Sequence, residues 1–137
     1  MDNLSPEQRR RTMAAVKSRD TGLEIIVRRL LHASGFRFRL HRKDLPGKPD
    51  IVLPKYRTVI LVHGCFWHQH PECKYSSIPA TRQDYWQAKL NRNVLRDQKN
   101  TLELTALGWK VFIIWECEIK DKMTFSEKIH QLLSLRH

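Results

Sequence analysis

No apolar run in this 137-residue chain approaches the roughly 20 positions that a membrane-spanning helix requires. No apolar signal segment opens it either, and it has no internal repeat and no low-complexity linker. Cysteine is scarce. Three residues, Cys65, Cys73 and Cys117, are an odd number, so a disulfide framework would leave one thiol over. A reducing cytoplasm suits such a chain, because clustered thiols there bind metal rather than one another. Negative charge is also short, with 14 Asp and Glu against 25 Lys and Arg for a formal net charge of +11. An excess of that size repels itself unless an anionic partner offsets it, and nucleic acid is the natural one. The basic residues are spread along the chain rather than forming one face of an amphipathic anchor, which argues against a membrane surface. At this length one domain with one core is expected, spanning residues 1–137.

What the chain does have is concentrated in His63-Gly64-Cys65-Phe66-Trp67-His68-Gln69-His70-Pro71-Glu72-Cys73. Thiolate and imidazole are the ligands zinc takes in fours, so Cys65, His70, Cys73 and the downstream Cys117 make one candidate set. His63 and His68 remain over as possible acid–base groups. The plainer alternative is a zinc-stapled loop with stray histidines.

Residues 1–20 read as a basic helical arm. Ser5-Pro6-Glu7-Gln8 opens it as a capping box, and Arg9, Arg10, Arg11 and Met13 follow. Thr21-Gly22-Leu23-Glu24 opens a second helix with a core-facing stripe of Leu23, Ile26, Val27, Leu30 and Leu31, which Gly35 ends. Phe36 to Leu40 alternates like a half-exposed strand. Asp50–Leu53 and Thr58–Val62 form short apolar strands joined at Pro54–Arg57, an antiparallel hairpin. A long polar helix is expected from Thr81 to Leu107 with Gly108 as its stop, then a buried strand over Lys110–Trp115 and a closing helix over Phe125–Leu135. Helices before and after a small mixed sheet give an α/β or α+β sandwich.

A symmetrical hairpin sets Asp50 opposite Leu61 or Val62, bringing its carboxylate near the strand end where His63 begins. A hard divalent cation wants oxygen ligands, and Asp50 with a backbone carbonyl near Val62 supplies two. That arrangement suits phosphodiester hydrolysis, with His63 and His68 as base or charge stabiliser. A turn carboxylate after Gly-Lys-Pro is the ordinary alternative for Asp50. Glu24 is fully explained by its capping box, although a role near the histidines stays open. Phe66, Trp67, Tyr85 and Trp86 lie among basic residues, where rings stack on bases or wedge between pairs. Packing around the zinc is the alternative. Trp109 and Trp115 bracket a strand and read as core. Arg82, Lys89, Arg92, Arg96 and Lys99 are candidate phosphate contacts or a solvated helix face.

At these residues the chain resembles the very-short-patch mismatch repair endonucleases, the Vsr family. The likeness runs from Met13 and Arg19-Asp20-Thr21 through Leu45–Asp50 and His63–His68. It continues through Pro79–Arg82, Trp86, Asn93 and Arg96-Asp97 to Leu107-Gly108-Trp109 and Trp115-Glu116-Cys117. The resemblance implies a restriction-endonuclease-like three-layer α/β/α sandwich with a structural zinc. It implies Mg²⁺-dependent nicking of double-stranded DNA on the 5′ side of the thymine in a T:G mismatch, the product of 5-methylcytosine deamination, to start short-patch resynthesis. By motif, Asp50 would hold magnesium with the Val62 carbonyl, and His68 would be the base or charge-stabilising imidazole with His63 and Glu24 in support. Cys65, His70, Cys73 and Cys117 would hold zinc. Phe66, Trp67 and Trp86 would wedge beside the mismatch from one groove and Met13 from the other, with Arg82, Arg92 and Arg96 on the DNA.

Val62 stands where the family often has threonine, and Pro71-Glu72 lengthens the spacer between His70 and Cys73. His63-Gly64-Cys65 replaces the Glu-x-Lys half of the usual restriction-nuclease signature, so the lysine role passes to histidine. Two rivals remain: a restriction-type enzyme cutting matched DNA, and a non-catalytic zinc module that only binds nucleic acid. A nick needs one active site, hence a monomer acting on DNA in a bacterial cytoplasm. Partner proteins of mismatch repair leave no mark in the sequence.

Overall fold

The computed structural model describes residues 22–136. The basic arm expected over residues 1–20, Met13, and the Thr21 end of the second capping box lie outside them. Helix α1 (Gly22–Ala33) buries Val27 and Leu31, while Leu23 and Leu30 pack at the margin of the same cluster. Ile26, assigned to that stripe from periodicity, is 46% exposed. It lines an apolar surface groove with Arg29, Leu30, Ala33 and Phe125. The helix ends in a Schellman motif. Gly35 turns at φ 87°, its N–H reaches the His32 carbonyl, and Phe36 N–H reaches the Leu31 carbonyl at 3.0 Å.

Phe36 is thereby drawn into the core as the hydrophobic partner of that cap. The strand expected from residue 36 shrinks to β1 (Arg39–Leu40). Next come β2 (Ile51–Leu53), a 3-10 turn at Pro54–Tyr56 closed by Arg57 at φ 47°, and β3 (Thr58–His63). These two strands pair antiparallel with Ile51 opposite Ile60 and Leu53 opposite Thr58, the hairpin the turn residues imply. A loop containing a 3-10 turn at Lys74–Ser76 leads to α2 (Gln83–Ala106). Gly108, at φ 91°, stops that helix as expected, with Trp109 N–H on the Leu104 carbonyl.

Strand β4 (Lys110–Trp115) then runs parallel to β3, Thr58 opposite Lys110 and His63 opposite Trp115. The sheet order is β1-β2-β3-β4, a small mixed sheet in an α/β fold. β3 is central and every residue in it is buried. β4 was expected to be buried, but it is an edge strand and only Ile114 is fully covered. A short helix α3 (Glu116–Lys120) precedes α4 (Lys122–Leu133). The closing helix starts three residues earlier than its apolar pattern suggests, because the Asp121 carboxylate caps it through Met123 N–H. A 3-10 turn, Ser134–Arg136, ends the described chain.

Alternation along the strands divides the core between the two sheet faces. Ile51, Leu53, Ile60, Val62 and Ile114 meet Val27 and Leu31 of α1 and Ile129 and Leu132 of α4. Val52 and Val59 meet Leu45, Leu104 of α2 and Trp109. Helices thus cover both faces, and the end of β3 that carries Val62 and His63 is left as the meeting point of α1, α2 and the following loop.

Candidate active site and metal centre

Beyond His63 the chain leaves the sheet and folds on itself. His68 N–H bonds to the Gly64 carbonyl and His70 N–H to the Cys65 carbonyl, so the Cys65 and His70 side chains fall on one side. Gln69, in the left-handed region at φ 48°, ties the loop to Phe66 and Ser76 carbonyls through its amide. Cys117 arrives from the start of α3 and its N–H donates to Cys65 Sγ at 3.4 Å. The ligand atoms of Cys65, His70, Cys73 and Cys117 all lie within 4.8 Å of one another. His70 Nδ1 is 3.7 Å from Cys65 Sγ and 3.4 Å from Cys117 Sγ. A tetrahedral zinc with its usual bond lengths would set sulfur and nitrogen about 3.6 Å apart. The donor set and its spacing therefore fit such an ion. Burial pushes the Cys65 thiol up to about 12 and also raises Cys117. Thiolates there need the compensating charge of a cation.

A second cluster joins His63, His68 and Asp97, whose ligand atoms also lie within 4.8 Å. The two imidazoles stack at 3.8 Å with an interplanar angle of 4°. His68 Nδ1 lies 2.6 Å from Asp97 Oδ2 on α2. Its Nδ1 proton is thereby committed to the carboxylate, leaving Nε2 as the basic nitrogen. Burial, followed by the neighbouring His68, lowers His63 to about 4, so it is neutral at neutral pH. Its Nδ1 is buried with no hydrogen-bond partner among the described residues. Trp115, expected in the core, instead lies between the two sites, stacked on His70 at 4.1 Å and edge-on to His63 at 5.0 Å. Its place at the end of the edge strand, opposite His63, is the reason.

Asp50 is the residue before β2 and accepts the Val62 N–H at 2.9 Å. The carboxylate does reach the end of β3, but its metal-distance neighbours are Glu24 and His41, all within 4.8 Å. His63 and His68 belong instead to the group with Asp97. The two clusters abut through consecutive residues, Val62 bonding Asp50 and His63 facing Asp97. Glu24 is 2% exposed and is held by Arg28 at 2.9 Å and His41 Nε2 at 3.1 Å. Burial, then the Glu24 carboxylate, pushes Asp50 up to about 7 against the lowering effect of Val62 N–H. Two carboxyls crowded in this way share a proton or take a cation.

Phe66, Trp67 and Trp86 form a half-buried triad with ring centroids 5.1 to 6.1 Å apart. Tyr85 extends it at 5.1 Å from Trp86 and is 45% exposed. Lys89 lies 5.4 Å over Trp67, and Arg82 4.9 Å over Tyr85. Arg92 and Arg96 are exposed along α2. Asn93 donates to the Trp67 carbonyl at 3.2 Å, one helical turn before Asp97.

Sequence reasoning missed His41, and it named Asn93 and Asp97 only as positions of the family likeness, without the roles they take here. Asp97 did leave a signal, since it is the only acidic residue between Asp84 and Glu103. His41 left none, because it lies in a loop with no periodicity.

Residues 1–74 match the family model described as DNA mismatch endonuclease Vsr. The chain is 49% identical over 132 residues to the type II nicking enzyme V.XorIIP of Xanthomonas oryzae pv. oryzae, covering 96% of each chain. It is 42% identical over 132 residues to the type II nicking enzyme V.NmeAIP of Neisseria meningitidis, covering 96% of this chain and 94% of that one. To the DNA mismatch endonuclease Vsr of Escherichia coli it is 41% identical over 120 residues, covering 88% of this chain and 76% of that one. With this support beside the geometry, the chain belongs to the Vsr family and is a DNA endonuclease.

Proposed function

We propose that this endonuclease nicks double-stranded DNA on the 5′ side of the thymine in a T:G mismatch, in a Mg²⁺-dependent reaction that starts short-patch repair. One observation carries the reading. On α2, Asn93 holds the backbone of Trp67 and Asp97 holds the His68 imidazole. Ring insertion beside a mispair and the orientation of a base are thus set by one rigid element. A T:G pair is easier to open than a matched pair, so wedged rings act selectively there.

In this reading Asp50 binds the catalytic cation with the Val62 carbonyl and Glu24. A bound magnesium would polarise the phosphate and stabilise the leaving oxygen. His68, oriented by Asp97, takes the proton of the attacking water at Nε2. Neutral His63 stacks against it, confines the ring and adds no charge. Cys65, His70, Cys73 and Cys117 hold a structural zinc that fixes the loop bearing both the base and the rings. Arg82, Arg92 and Arg96 contact phosphates, and Met13 approaches from the opposite groove. Helices on both faces of a mixed sheet support a restriction-endonuclease-like sandwich. A monomer serving the repair machinery of a bacterial cytoplasm completes the proposal.

The test is to incubate T:G and matched duplexes with protein and Mg²⁺, alongside Asp50→Ala. Nicking confined to the thymine strand of the mismatch, and lost in the variant, is expected. Equal cutting of matched DNA would replace this reading with a restriction-type activity.

A further inference from the structure

We infer that His41 supplies a nitrogen donor to the cation site formed by Asp50 and Glu24, giving that site a preference for Mn²⁺ over Mg²⁺. The inference rests on the reading of Asp50 and Glu24 as cation ligands, and adds the donor that sets metal choice.

His41 is the residue after β1, and its backbone N–H donates to the Asp50 carbonyl at 3.2 Å. The β1–β2 ladder is thus carried one pair past Leu40 and Ile51, facing His41 across from Asp50. The backbone turns there at φ 47°, a left-handed conformation that histidine tolerates better than most side chains. Nε2 comes within 3.1 Å of Glu24 Oε2, and both fall within 4.8 Å of an Asp50 oxygen. An octahedral ion with bonds of about 2.1–2.2 Å holds adjacent donors about 3 Å apart. The imidazole and the carboxylate oxygen are already spaced as neighbouring ligands.

A simple ion pair accounts less well for this arrangement. Arg28 already compensates the same Glu24 oxygen at 2.9 Å, so Glu24 does not require His41 as a counterion. Two carboxylates and an imidazole converging on one point make a donor set suited to a dication. The Glu24 and His41 side chains are only 3% and 16% exposed, so bulk water competes weakly for the position. Manganese also takes oxygen ligands, but it accepts an imidazole nitrogen more readily than magnesium, which dehydrates reluctantly and retains its waters.

The experiment uses full-length, zinc-loaded protein and Mn²⁺ as the probe. Free Mn²⁺ is counted by electron paramagnetic resonance, and the nitrogen modulation of bound Mn²⁺ is read by spin echo. Wild type, His41→Gln and Asp50→Asn are compared, with Mg²⁺ affinity taken by competition. For His41→Gln the expected result is a Mn²⁺ Kd weakened about tenfold, a loss of nitrogen modulation, and a Mg²⁺ Kd changed less than about twofold. Nitrogen modulation absent in wild type, or undiminished in His41→Gln, would overturn the inference, as would an equal loss for both metals. Asp50→Asn separates the two readings. If it leaves Mn²⁺ binding intact, the assignment of Asp50 fails; if it abolishes binding while His41→Gln changes nothing, only the role of His41 fails.

Discussion

Replacing Asp50 with asparagine should strengthen the fold while it destroys the activity. Burial, with Glu24 alongside, holds the Asp50 carboxyl up to about 7, some three units above its usual value. The folded chain therefore binds this proton more tightly than the unfolded chain does. Its contribution to stability falls as pH rises from about 4 to about 7, and the full loss is present above that window. At about 1.4 kcal/mol per unit the ceiling is about 4 kcal/mol. An amide retains an acceptor for the Val62 N–H, and relaxation around Glu24 relieves part of the strain, so about 2 kcal/mol is the expected gain. For a domain of this size that raises Tm by about 6–10 °C. The assay is thermal melting of zinc-loaded protein in magnesium-free buffer at pH 8 and pH 5. Asp50→Asn should melt higher at pH 8 and keep only about 40% of that gain at pH 5, where the folded carboxyl holds its proton but the unfolded one has already lost it. Added Mg²⁺ should raise only the wild-type transition, since only that chain retains the ligand. A variant melting at or below wild type at pH 8 would refute the argument that the site is built under electrostatic strain.

Asp97→Asn removes the charge that orients His68, so kcat for nicking should fall ~10²-fold with DNA affinity nearly unchanged; single-turnover rates and a binding titration check this. Cys117→Ala should release the bound metal and cost about 2–5 kcal/mol or more of stability, read as zinc content and melting temperature. Trp67→Ala should narrow the difference in cleavage between mismatched and matched duplexes while leaving Asp50-dependent Mg²⁺ binding in place, read from paired rates and a metal titration. A variant that keeps full discrimination would remove Trp67 from mismatch recognition.

Much of the architecture was legible because it is written locally. The hairpin follows from Pro54–Arg57 between two apolar runs, and the end of α2 from Gly108. The grouping of Cys65, His70, Cys73 and Cys117 could be read from ligand chemistry alone. The errors lie where neighbours rather than local pattern decide. Lys110–Trp115 is apolar enough for a central strand, yet sheet order puts it at an edge, with Trp115 between two imidazoles instead of in the core. Phe36 alternates like a strand residue, but the cap of α1 claims it.

The amino-acid sequence by itself determined which side chains are available and, through spacing along one strand or loop, that thiols, imidazoles and rings fall close together. Only the tertiary structure decided the pairings: Asp97 with His68, and Glu24 and His41 with Asp50. Those partners are brought together across 17 to 29 positions of chain or between separate elements. Contacts of that kind depend on how helices pack over a sheet, and no short-range periodicity encodes them.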